Sequence, residues 1–117
     1  MSRFGRGQVV LIPFPFTDLK SHKVRPAVIV SPHPTKRGDV IVAFISSVLP
    51  FNDVEASAVI IKITDKEFRK TGLKVSSVFR MDKLVTLHLS LMVRQLGSVS
   101  SSLQRKLDIA LSAALGL

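Results

Sequence analysis

A chain of 117 residues, 46% of them hydrophobic, has room for one hydrophobic core and is too apolar to be disordered. Its 17 Lys+Arg against 8 Asp+Glu give a formal net charge of +9, which favours RNA, DNA or an acidic protein as partner. It has no cysteine, which excludes disulfides, thiolate metal sites and cysteine nucleophiles.

The reading is of a single domain over residues 1–117. No uninterrupted apolar run approaches the roughly 20 residues that cross a bilayer, so no membrane association is expected. The basic start MSRFGRGQ leads into an apolar run broken by Pro13 and Pro15. No small-residue cleavage site follows it, so no secretory signal is expected and a cytoplasmic protein fits. Residues 1–37 hold seven basic groups and one acid, Asp18, whereas 38–117 hold ten basic and seven acidic groups. The excess charge is therefore concentrated in the N-terminal third.

Gln8–Phe16 reads as a strand that Pro13 and Pro15 confine to an edge or a bulge. Val24–Ser31, strongly β-branched, is a second strand. Pro32–Gly38 is a loop by its breakers. Asp39–Ser47, with the run VIVAFI, suits a central strand buried on both faces. Ser57–Thr64 is a fourth strand, and Asp65–Thr71 has room for one helical turn closed by Gly72. Val75–Asp82 predicts a fifth strand and Val85–Leu89 a short extended piece. Six strands at close spacing argue for a small antiparallel barrel or curled sheet, not a parallel α/β fold.

The last segment predicts a helix over Ser101–Leu115. Leu103, Leu107, Ala110, Leu111, Ala114 and Leu115 form one apolar stripe, for core packing or, more sharply, a dimer contact. Ser101 with Gln104 has capping-box spacing, and Gly116 is a suitable terminator.

Function is best sought between the first two strands. The stretch FPFTDLKSHKVRPAVIVS places Lys20, His22, Lys23 and Arg25 within six residues at a sheet rim, an arrangement suited to phosphate. A solvated hairpin with surface lysines is the plain alternative. No GxxxxGK phosphate loop, HExxH or GxSxG elbow occurs. His22, His33 and His88 lack ligand spacing, so neither metal nor cofactor is expected. An enzyme here would work with Arg, Lys, His, Ser, Thr and a few carboxylates. RNA cleavage needs no more, because the substrate supplies its own nucleophile, the 2′-OH.

Five segments then come in order: GQVVLIPFPFTD (Gly7–Asp18), KVRPAVIVSP (Lys23–Pro32), VAFISS (Val42–Ser47), SVFRMDKLVTL (Ser77–Leu87) and LGSVS (Leu96–Ser100) before the final helix. Together, over roughly residues 5–115, they resemble the PemK/MazF family of toxin endoribonucleases. The resemblance implies an SH3-like barrel of antiparallel strands with a C-terminal helix, a homodimer, and metal-free cleavage of single-stranded RNA to a cyclic phosphate. It further implies a cognate antitoxin as protein partner.

On that resemblance Arg25, the arginine of the RP dipeptide, stabilises charge on the scissile phosphate, and Ser46 hydrogen-bonds it. Ser47 is the adjacent alternative, since a one-residue slip turns a hydroxyl to the other face. Better-known members carry a glutamate, and often a histidine, before this arginine. Here the turn reads LKSHKV, with Lys20 and Val24 where those groups are expected. His22 is the local candidate for proton transfer, because its charge changes near neutral pH. Asp18, Lys20, Lys23, Ser47 and Arg80 are the residues expected to bind RNA, with the positioning of Arg25 as an alternative role for Asp18. Arg25 paired with Asp18 or Asp82 on the surface is the structural alternative. Phe14 and Phe16 are core residues or base-stacking platforms. Two other functions share such a barrel: a noncatalytic SH3-like binding module for nucleic acid or protein, and a CcdB-like gyrase-inhibiting toxin.

Overall fold

The computed structural model describes residues 4–13, 23–50 and 52–117. Among these, six strands form one sheet: β1 Gln8–Pro13, β2 Val24–Ile29, β3 Asp39–Ser46, β4 Ala58–Ile61, β5 Ser77–His88 and β6 Arg94–Ser98. A four-residue helix, α1 (Phe68–Thr71), precedes β5, and a C-terminal helix, α2 (Ser101–Leu115), follows β6. The order across the sheet is β4-β5-β3-β2-β1-β6. Every neighbouring pair is antiparallel, giving a half-barrel with a C-terminal helix, as the strand spacing predicts.

The apolar runs of β1, β2 and β3 bury both faces of the sheet. Val9, Val28, Ala43 and Ile45 point to one side, where Phe79, Met81 and the α2 residues Leu103, Leu107 and Ala110 meet them. Val10, Ile12, Ala27, Ile29, Val40, Val42 and Phe44 form a second core on the other side. β3 is interior, as its apolar run requires, between β5 and β2.

The prolines are accommodated differently from the expectation. β1 is an interior strand, but β6 pairs only with Gln8–Leu11, so Pro13 stands beyond that ladder. Likewise β3 pairs with β2 only over Ala27–Ile29, which leaves Pro26 clear of it. A missing N–H is harmless in both places. The expected strands Val75–Asp82 and Val85–Leu89 are one strand, β5. Its pairing with β3 jumps from Arg80↔Phe44 to Leu84↔Ala43, so Met81, Asp82 and Lys83 form a bulge. The sixth strand is Arg94–Ser98, which apolar alternation does not announce.

The helix stripe closes through Leu103, Leu107 and Ala110, with Leu111 partly buried against them. Leu115, in the last turn, is 54% exposed. The cap sits one residue before the expected one. Ser100 keeps extended backbone (φ −71°, ψ 166°), and its Oγ accepts from the Leu103 N–H at 3.2 Å. The same hydroxyl donates to Glu67 Oε1 at 2.8 Å. Gln104 instead donates to Asp108.

Gly72 ends α1 as foreseen, at φ 75°, a left-handed conformation that glycine adopts without strain. A methyl group on Gly72 would collide with the Leu96 carbonyl, and one on Gly97 with the Lys70 carbonyl. Backbone therefore lies directly on backbone where α1 meets β6. This contact fixes the course of the chain just after α1, through Leu73, Lys74 and Val75.

Candidate functional site

A groove of about 970 Å³ opens beside the β2–β3–β5 part of the sheet. Arg25, Ser46, Ser47 and Arg80, four of the residues singled out in the sequence, all line it. Lys23 is exposed and stands outside that lining. Asp18, Lys20 and His22, with Phe14 and Phe16, lie outside the described residues.

Each element delivers its side chain for a local reason. Arg25 precedes Pro26, and the residue before a proline is held extended by the pyrrolidine ring. Pairing with Ile12 of β1 fixes Arg25 further, and its Nη1 donates to the Val24 carbonyl at 3.3 Å. Ser46 ends β3 where the strand leaves the core. Its Oγ accepts from the Val48 N–H at 3.1 Å, which shapes the turn and leaves its own O–H to donate. Ser47 is fully in the exposed part of that turn.

Arg80 and Asp82 form a two-pronged pair. Arg80 Nε donates to Oδ1 and Nη2 to Oδ2, each at 3.1 Å. The guanidinium hydrogen bonds hold the Asp82 carboxyl below the ordinary value, against the opposing effect of partial burial. Both oxygens of Asp82 are thus engaged by Arg80.

Three further cations line the groove that the sequence did not single out: Lys74, Lys83 and Arg94. Lys83 sits on the β5 bulge, inside the SVFRMDKLVTL motif, which was its available signal. Lys74 and Arg94 had none. They reach the groove because α1 is pressed against β6. The arrangement is a cationic trough into which β2 brings the planar guanidinium of Arg25 and the end of β3 the hydroxyl of Ser46, suited to a charged phosphodiester.

The remaining described histidines do structural work. His88 Nε2 lies 2.8 Å from the Arg37 carbonyl, and its Nδ1 accepts from the Ser90 N–H at 3.1 Å. His33 Nδ1 meets the Pro34 carbonyl at 3.1 Å. Among the described residues no three His, Asp or Glu side chains gather as a metal site requires. No helix among them is long and apolar enough to cross a membrane.

The chain is similar in fold to several solved structures. An endoribonuclease from a Mycobacterial species is 25% identical, with 100% of this chain and 95% of that one covered, at a TM-score of 0.71. A structure of an endoribonuclease in complex with its cognate antitoxin, also from a Mycobacterial species, is 25% identical over 97% of this chain and 95% of that one, at a TM-score of 0.70. MazF from Deinococcus radiodurans shares the fold at 19% identity, over 97% and 96%, at 0.67. No curated protein matches by sequence. The model of the PemK-like, MazF-like toxins of type II toxin–antitoxin systems matches residues 5–115. The chain belongs to that family.

Proposed function

We propose that this toxin is an endoribonuclease that binds single-stranded RNA in the groove and cleaves it through the substrate's own 2′-OH. The observation that carries the reading is the meeting of Arg25 and Ser46 in one trough with Lys74, Arg80, Lys83 and Arg94. The family match supports it, and nothing in the comparisons favours the binding-module or gyrase-inhibitor alternatives.

The 2′-oxygen attacks the adjacent phosphorus and the bond to the 5′-oxygen breaks. The products are a 2′,3′-cyclic phosphate and a free 5′-hydroxyl. One proton leaves the 2′-OH and one reaches the departing oxygen. Negative charge grows on the non-bridging oxygens as the phosphorus becomes five-coordinate. The planar fork of Arg25 suits two of those oxygens, and the Ser46 O–H suits one. His22 is the group assigned to proton transfer, with Asp18 positioning Arg25. Asp18, Lys20, Lys23, Ser47 and Arg80 are assigned to RNA binding. No step requires a metal. A cognate antitoxin would neutralise the toxin, which would act as a homodimer in the cytoplasm.

The purified protein should cut single-stranded RNA in EDTA and leave DNA of the same sequence intact. Cleavage that requires magnesium, or cutting of the DNA strand, would overturn the mechanism.

A further inference from the structure

Asp82 is the one carboxylate among the described residues that line the groove, which it shares with Arg25, Lys74, Arg80, Lys83 and Arg94. A negative group in a trough for a polyanion repels phosphates, so affinity does not explain it. Stability explains it poorly. The Asp82 side chain is 40% exposed, and its partner Arg80 lies two residues away on the same strand, so the pair ties no separate elements together.

The bulge gives Asp82 a defined stance. Met81 turns into the core, with its N–H donating to the Ser57 carbonyl at 3.0 Å, and Asp82 and Lys83 are turned outward. The two hydrogen bonds from Arg80 set the plane of the carboxylate. Beyond the bonds from Arg80 and from its own backbone N–H the carboxylate keeps acceptor capacity, and when ionised it can only accept. Single-stranded RNA is read by hydrogen bonds to the splayed edges of its bases. A rigid acceptor-only group favours the exocyclic amino groups of adenine, cytosine and guanine. It disfavours uracil, whose one donor on that edge, the N3–H, is flanked by two carbonyl oxygens that repel the carboxylate.

We propose that Asp82, oriented by Arg80, is a specificity-determining residue. It accepts from the amino group of one RNA base and disfavours uracil at that position, while the surrounding cations hold the phosphates. This rests on the ribonuclease reading above.

The test is cleavage of an RNA pool randomised around the cut, with the new ends sequenced, by wild type and by Asp82→Asn, Asp82→Glu and Lys83→Ala. Wild type should disfavour uracil at one position by about 5–150-fold, the range of one good polar base contact. Asp82→Asn presents an amide that both accepts and donates, so it should admit uracil at that position and leave the other positions as they were. Asp82→Glu keeps the acceptor and should keep much of the discrimination. Lys83→Ala should lower cutting at all sequences together. If folded Asp82→Asn cuts with the wild-type profile, or cuts nothing, Asp82 is not a base reader. If wild type cuts no RNA, the ribonuclease reading falls and this inference with it.

Discussion

Gly97 lies against the backbone of Lys70 so closely that a methyl group on its Cα would overlap the Lys70 carbonyl oxygen. The neighbour in the way is main chain, which cannot swing aside as a flexible side chain can. Gly97→Ala should therefore force α1 away from β6. Overpacking of this kind costs about 1–3 kcal/mol, read by chemical denaturation. The same shift should displace Lys74 and slow RNA cleavage. An alanine variant of wild-type stability would show that the contact has room to spare.

Arg25→Lys keeps the positive charge and loses the fork. Removing one preorganised donor from a developing oxyanion generally slows chemistry about 100–1,000-fold, or roughly 2.7–4 kcal/mol. The measurement is single-turnover cleavage at saturating RNA, with circular dichroism to confirm the fold. Lys36→Ala changes an exposed residue of the loop before β3 and should leave the chemical step alone. Equal rates for both variants and wild type would reduce Arg25 to one more surface cation.

Asp82 has its carboxyl pKa held below the usual 3.8 by the Arg80 hydrogen bonds. A depressed value in the folded state means that the pair stabilises the protein above the unfolded pKa. That contribution is lost as pH falls through the folded one. With the side chain 40% exposed, screening limits the contribution to about 0.2–1 kcal/mol. Asp82→Asn should cost that much at pH 7, less in high salt, and nothing well below pH 3.8. A cost that grows on acidification would reverse the sign. Asp82 also stays ionised from pH 5 to 8, so a change in cleavage rate across that window belongs to another group.

The elements that can be read from the sequence are those whose side chains repeat with a period. The β-branched runs of β2 and β3 and the leucine stripe of α2 bury their apolar sets against the cores they imply. Arg94–Ser98, reading RQLGS, has no such period. It is a strand because Gln8–Leu11 offers it a ladder, which is a tertiary fact. The bulge at Met81–Lys83 breaks alternation and makes one long strand look like two. For the site, Arg25, Ser46, Ser47 and Arg80 are recognisable by the segments they sit in. Lys74 and Arg94 become groove residues only through the packing of two glycines, and no local pattern records that packing.

The groove is lined by residues as far apart in the chain as Leu11 and Leu96, and β1 finishes its pairing only with β6 near the C-terminus. Synthesis proceeds from the N-terminus at about 5–20 residues per second, and such distant pairing closes late. A ribosome that has just added Arg80 has made Arg25, Ser46 and Arg80, but not the strand that completes their surroundings. The toxin's working surface is thus withheld until translation of its own message is almost finished.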